Sequence, residues 1–206
     1  MINKETKIYC SFSSSPGNNG CKFFNKEFEY RNVNAIYKSF YSDDIKKSIE
    51  AVKSLGIKGF ALSMPFKIEA LDYVDGVEYS ARNIGSINTV VNNDGYLRGY
   101  NTDWIGVKKY FESRDFNFIY IIGNGGFSKA VQYTCKAMDI GFDIITRRNW
   151  KSMFNLNGKV LFNATPVNIE TDNLVVDGRP HTESGKEIAL YQAKEQFKIY
   201  TGVEID

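Results

Sequence analysis

The sequence has little of what builds metal centres or disulfide frameworks. In 206 residues there is one histidine, His181, and there are three cysteines, Cys10, Cys21 and Cys135. Zinc draws its ligands from clustered His and Cys. These four positions are dispersed, so no metal site is expected. An odd number of scattered cysteines makes no disulfide framework and fits a reducing compartment, which points to the cytoplasm. Charge of one sign is also missing: 26 Lys and Arg stand against 24 Asp and Glu, for a net charge of +2. No dense basic stripe with interleaved aromatics marks a nucleic-acid surface. No apolar run approaches a membrane span. The opening MINKETKIYCSF has no long apolar core, so no signal peptide is expected.

What is present is ordinary for a globular chain, 43% hydrophobic and 24% charged. The length suits one large domain or two small ones. KIYCSF (7–12) reads as a strand, SSSPGNNG as a loop and FEYRNVNAIY as a second strand. DDIKKSIEAVKSLG reads as a helix. Its apolar face is Ile45, Ile49, Val52 and Leu55, Ser42 or Asp43 is its cap, and Gly56 is its stop. IKGFAL follows as a short apolar strand, which gives the alternation of an α/β layer fold. Asp94-Gly95 sits between two β-rich runs as a hairpin turn. From Trp104, the spacing of Val107, Lys108 and Phe111 is helical. FNFIYIIGNGG is a strand entering a glycine loop, FSKAVQYTCKAMDIG a helix stopped by Gly141, and FDIIT the next strand. The domain seam is expected near residues 101–104.

Two stretches suggest chemistry. In IYIIGNGGFSKAV, the residues Gly123, Asn124, Gly125, Gly126 and Phe127 lie between a strand and a helix. Glycines there let the backbone approach a pyrophosphate, and the helix N-terminus offers unpaired N–H groups. A plain strand-to-helix turn would use the same residues. The third motif position is Ser128, small but not glycine. At the end of the next strand stand Arg147 and Arg148, with no acidic residue to hold the ribose of NAD, so NADP is the expected dinucleotide and NAD the weaker candidate. Solvated surface arginines are the plainer alternative. The second stretch is GFALSMPFK, where a strand ends in Lys67, with Asp103 further on in YNTDW. A nearby carboxylate favours the charged lysine and desolvation favours the neutral one. A lysine between those effects can exchange a proton with an alcohol or a carbonyl. On spacing alone, a solvated lysine and a helix-capping aspartate is the stronger reading.

Taken together, the motifs resemble the shikimate dehydrogenase family, including quinate/shikimate dehydrogenases, in order along nearly the whole chain. SSSP (13–16) is similar to the family's Ser-x-Ser-Pro loop, SMPFK (63–67) to its Thr-x-Pro-x-Lys, and IGSINTVV (84–91) to its Gly-Ala-x-Asn-Thr. GYNTDW (99–104), GNGGFSKA, TRR, NATPV (163–167) and GKEIALYQAKEQFKIYTG continue the series. The resemblance implies a fold, an activity and a site. The fold class is α/β with two domains around a cleft: an N-terminal α/β substrate-binding and catalytic domain, residues 1–102 plus 185–206, and a reduced Rossmann-like dinucleotide-binding domain, residues 103–184. The activity is NADP-dependent, reversible hydride transfer at a ring alcohol of shikimate or a close analogue, in the shikimate pathway of aromatic amino acid biosynthesis. Lys67 and Asp103 become the catalytic pair. Ser13, Ser15, Ser63, Asn88 and Gln192 bind the small-molecule substrate. Gly123 to Phe127 hold the pyrophosphate, Arg147 (with Arg148 beside it) the 2′-phosphate, and Thr165, Pro166 and Val167 lie on the nicotinamide side.

The sequence also departs from the family pattern. Ala61 stands where an Asn is usual, which removes one substrate hydrogen bond. The His-Asn after the serine loop is unclear, with Asn25 as a remnant. Residues 147–158 are few for a parallel crossover, so the adenosine side is expected to be trimmed. After NATPV, the family's Asp-x-x-Tyr-x-Pro-x-x-Thr is reduced to LVVDGRPHTESGKE, with Asp177 and Pro180 as remnants, no tyrosine, and His181 as a surface-loop residue. Two further readings remain open. One is a dehydrogenase for another cyclic hydroxy acid. The other is a non-catalytic small-molecule-binding relative. A second domain of about eighty residues buries only a modest core; a homodimer is one remedy, and no sequence feature specifies it.

Overall fold

A computed structural model gives the fold and describes residues 2–205; Met1 and Asp206, the ends of the first expected domain, lie outside the described residues. The chain packs as two units, residues 1–102 with 196–206 and residues 103–195. Residues 185–195, expected with the first domain, therefore pack with the second unit.

The first unit is built on a six-stranded sheet. Its strands are β1 (Lys7–Ser13), β2 (Ala35–Tyr41), β3 (Gly59–Leu62), β4 (Gly76–Val77), β5 (Thr89–Asn93) and β6 (Tyr96–Tyr100), in the order β2-β1-β3-β5-β6-β4. β1, β2 and β3 run parallel, β5 and β6 form an antiparallel hairpin beside β3, and the short helix α3 (Tyr79–Ile84) lies between β4 and β5 in the chain. Asp94 (φ 49°) and Gly95 (φ 101°) make the hairpin turn, both with the positive φ that a two-residue turn of this kind requires. Alternation along β1 divides the core. Cys10 and Phe12 face a cluster that contains Ile45, Ile49 and Val52 of α2 (Ile45–Leu55). Tyr9 faces the opposite cluster, with Phe24 and Phe28 of α1 (Asn19–Tyr30) and Phe197 and Tyr200 of the last helix, α6 (Glu183–Thr201).

The structure corrects three local expectations here. FEYRNVNAIY is not one strand. Phe24 and Phe28, four residues apart, make the buried face of α1, which stops where Asn32 turns left-handed (φ 57°), and the strand begins only at Ala35. The cap of α2 is Asp44, whose carboxylate accepts from Lys47 N at 3.1 Å, rather than Ser42 or Asp43. Leu55 lies at the rim of the α2 face and is exposed.

The second unit is a four-stranded parallel sheet of β7 (Phe118–Ile122), β8 (Gly141–Ile145), β9 (Val160–Asn163) and β10 (Leu174–Asp177), in the order β10-β9-β7-β8. α4 (Asp103–Glu112), α5 (Gly126–Ala137) and α6 supply Val107, Phe111, Val131, Cys135 and Ile188 to its core. Gly141 does not stop α5. The helix ends at Ala137, Asp139 (φ 58°) turns the chain, and Gly141 opens β8, where a Cβ would come within 2.6 Å of the Phe118 ring. LVVD, expected only as a connection, is β10. The crossover from β8 to β9 contains one 3-10 helix, Trp150–Asn155, and β8 is left as the sheet's edge.

Gly59 is where the last helix meets the first sheet. A Cβ there would lie 2.8 Å from the Tyr200 ring and 2.9 Å from the Val90 carbonyl. Gly59→Ala is expected to lower stability by about 1–3 kcal/mol, as overpacking does. Denaturant midpoints check this, and an unchanged midpoint would show that Tyr200 yields freely.

Candidate functional site

In the first unit, the stretch from Leu62 to Lys67 is closed at both ends by the same dipeptide. Leu62 N donates to Asn88 O at 2.8 Å, and Ile87 N donates to Lys67 O at 2.7 Å. Between them Phe66 is buried as an anchor and the Met64–Pro65 peptide is cis. Lys67 leaves this loop half-buried. The serine loop after β1 is joined to it. Ser13 is buried, its hydroxyl donates to Met64 O at 3.3 Å, and its oxygen accepts from Ser15 N at 3.0 Å. Ser15 and Ser63 are exposed. Asn88 is buried, and its Oδ1 accepts from Thr102 N at 2.8 Å and Thr89 Oγ1 at 2.9 Å while Nδ2 donates to Thr102 Oγ1 at 3.0 Å. Thr102 is the residue before Asp103 in the chain. The first unit thus gathers Ser13, Ser15, Ser63, Lys67 and Asn88 at one end of its sheet.

Asp103 and Gln192 belong to the second unit. Asp103 is the buried first residue of α4. One turn on, a Cβ on Gly106 would lie 3.0 Å from Gln192 Cβ, so α4 and α6 approach closely beside both side chains. The glycine loop sits where β8 and β9 flank β7 on opposite sides, the switch point at which open parallel sheets bind ligands. Gly123 has φ 109°, and a Cβ on it would meet Thr165 Cγ2 at 2.9 Å. Ser128, the departure from the glycine pattern, is buried and donates to Gly123 O at 2.7 Å, tying the loop to α5. Asn124 and Gly125 are exposed, the N-cap of α5 is Gly125, which has no side chain to cap with, and a Cβ on Gly125 would meet nothing within 4 Å. The Phe127 ring packs on Phe162, with centroids 5.8 Å apart.

The NATPV loop is knit by Asn163, which is fully buried. Its Oδ1 accepts from Thr165 N at 3.0 Å and Thr165 Oγ1 at 2.7 Å, and its Nδ2 donates to Val167 O at 2.8 Å. Pro166 and Val167 stay exposed. Arg147 and Arg148 are exposed in a turn after β8 that Asn149 holds by accepting from Thr146 N at 2.7 Å. Sequence reasoning gave no role to Asn163, Thr102 or Gln196, although all three lie inside quoted motifs. It also did not foresee the clamp that Arg179 makes. Arg179 Nε donates to Asp177 Oδ1 at 3.0 Å, and Nη2 donates to Asp177 Oδ2 at 2.6 Å and to Asn168 Oδ1 at 2.8 Å. Among the described residues no group of three His, Cys, Asp or Glu is placed to hold a metal, and no helix is long and apolar enough to cross a membrane.

Comparison with known proteins fits these loops. Residues 11–90 match the family model for the shikimate dehydrogenase substrate binding domain. A shikimate dehydrogenase-like protein of Haemophilus influenzae is 42% identical over 134 residues, 64% of this chain and 49% of that one. The shikimate dehydrogenase (NADP(+)) of Clostridium botulinum is 31% identical over 207 residues, 92% of this chain and 77% of the relative. The chain belongs to the shikimate dehydrogenase family. A crystal structure of a shikimate dehydrogenase in complex with NADP+ superposes with a TM-score of 0.83 at 27% identity, over 100% of this chain and 93% of the other. The family's two-domain α/β fold is the one seen here. The chain spans about half the length of most of the curated shikimate dehydrogenases it matches, 51% in the case of Pyrococcus furiosus.

Asp177 gives the second unit an acid-sensitive joint. Burial pushes its carboxyl up, but the hydrogen bonds from Arg179 and Asn163 outweigh this and hold it below its ordinary value. A depressed carboxylate contributes stability that is fully present above the ordinary value of about 3.9 and is lost as pH falls through the folded value. Wild type is expected to exceed Asp177→Asn in unfolding free energy at neutral pH, and the gap should close in acid. Urea midpoints across pH test this; a gap independent of pH removes the carboxylate from the account.

Proposed function

We propose that the chain is an oxidoreductase of the shikimate dehydrogenase type. It interconverts a ring alcohol and the matching ketone of shikimate or a close analogue, with NADP as hydride partner. The observation that carries this reading is the loop pinched by residues 87–88, which holds Lys67 by its own carbonyl. The unit of residues 1–102 with 196–206 is the substrate-binding and catalytic part, and residues 103–195 are the dinucleotide-binding part. The three free cysteines fit a reducing, cytoplasmic setting.

The residues of the second unit fit a dinucleotide. A Cβ at Gly123 would collide with Thr165, so the loop there needs glycine, and the N-terminus of α5, which begins in this loop, carries the partial positive charge that suits a pyrophosphate. Arg147 and Arg148 would hold the 2′-phosphate, and Thr165, Pro166 and Val167 would lie on the nicotinamide side. NADP, when bound, supplies or accepts the hydride. Lys67 does the proton work. Its ammonium gives a proton to the carbonyl oxygen during reduction, and its amine takes the proton back during oxidation. Asp103 is the residue we assign to orient Lys67. Ser15, Ser63, Asn88 and Gln192 hold the ring hydroxyls and the carboxylate, with Ser13 fixing the serine loop. The short crossover after β8 favours a second reading, a binding protein that keeps the substrate site without turnover.

Formation of reduced nicotinamide from shikimate and NADP is the deciding assay. Lys67→Ala should lower turnover by about 10²- to 10⁴-fold, the range of general acid–base catalysis, and near-normal rates would remove Lys67 from the chemistry. Turnover only with another hydroxy acid moves the substrate and keeps the mechanism. No turnover with any pair favours the binding protein. The double change Arg147→Ala with Arg148→Ala should weaken NADP about tenfold or more and leave NAD nearly unchanged, as loss of charge-assisted phosphate contacts predicts. Equal weakening of both dinucleotides, read by calorimetry, would sink the 2′-phosphate assignment.

A further inference from the structure

We propose that Gln196 is a positioning residue for the substrate and proton-transfer loops, an inference that rests on the roles given above to Lys67 and Asn88. Gln196 lies in the part of α6 that packs with the first unit and is 3% exposed. Its Nε2 donates to Asn88 O at 3.2 Å and to Thr89 Oγ1 at 2.7 Å. A buried glutamine is poorly placed for stability alone. Burying a carboxamide is costly unless it is hydrogen-bonded, and an apolar residue of similar length would fill the space without that requirement.

Its donors go to the point where the sheet opens into the site. Asn88 O is the acceptor that also receives Leu62 N, at 2.8 Å, the last bond on the β5 side of β3 before the Lys67 loop. Thr89 Oγ1, with Gln196 donating to it, turns its single hydrogen to Asn88 Oδ1 at 2.9 Å. The same Oδ1 accepts from Thr102 N at 2.8 Å. Gln196 therefore sets the direction of a short chain of hydrogen bonds. That chain fixes which way the Asn88 carboxamide faces and holds the dipeptide that pinches the Lys67 loop. No part of Gln196 needs to touch the substrate for this.

Gln196→Met keeps the length of the side chain and removes the donors. In the full chain it is expected to raise KM for the hydroxy acid and lower kcat, with kcat/KM down by about tenfold, while the affinity for NADP stays unchanged. Thr89→Val added to Gln196→Met should cost little more, because both act through one hydroxyl. A residue that only stabilises the fold would lower the melting temperature and leave kcat/KM of the folded enzyme intact; that result overturns the proposal, as does full additivity of the two changes. Wild-type turnover is measured first, so that failure of the dehydrogenase reading is seen separately. If wild type turns over no hydroxy acid, the positioning is read by NMR. Gln196→Met should shift the Asn88 side-chain amide signals and speed amide exchange at Leu62 and Ile87 by about tenfold. Unchanged signals and exchange overturn the proposal.

Discussion

The buried amide of Asn88 is the interaction on which the first unit's loops depend. Its backbone closes the start of the Lys67 loop, Ile87 beside it closes the end, and its side chain ties the loops to Thr102. Each of these bonds is made where water is excluded, so each is worth more than a surface bond and expensive to leave unmade. The pairing of β3 with β5 involves Gly59 to Ala61 on one strand and begins again on the other at Thr89. At the mouth of the Lys67 loop, backbone bonds from residues 87 and 88 and polar side chains take over from that ladder. That is why the residues here are Asn, Thr and Gln rather than the Val and Ile of the neighbouring core.

The second unit solves a similar problem with less material. Its loops converge at the switch point around β7 through backbone contacts: Gly123 N to Ile145 O at 2.8 Å and Ala164 N to Ile122 O at 3.0 Å. Close approach demands glycine at 123, and Ser128 recovers the bonding that a tighter helix–strand contact would otherwise supply. At β10, where the pattern of the family is shortened, the Asp177–Arg179 ion pair and Asn168 brace the loop that Asn163 folds.

Much of this was legible in the sequence because it rests on local rules. Ile45, Ile49 and Val52 announced α2, Asp94-Gly95 announced the hairpin, and the glycines after FIYII announced the strand-to-helix turn. The failures have one cause. Phe28 falls in a stretch with strand propensity although its spacing from Phe24 is helical, and Gly141 looks like a helix stop although the ring of Phe118 is what requires it. Both depend on a neighbour distant in sequence or in the next element. Gln196 was invisible for the same reason. Gln192, four residues earlier on α6, carried the motif, while the partners of Gln196 lie 107 and 108 positions away.

A sheet that ends at β8 exposes a row of unpaired backbone groups, and such rows template fibrils and stacked aggregates. The middle of this strand holds Asp143, exposed and opposite Tyr120 in register. A carboxylate at the centre of an open edge must be dehydrated and brought near its own copy before two edges can zip together. An acidic side chain at the centre of the open edge therefore works against the zipping of one copy of this sheet onto another.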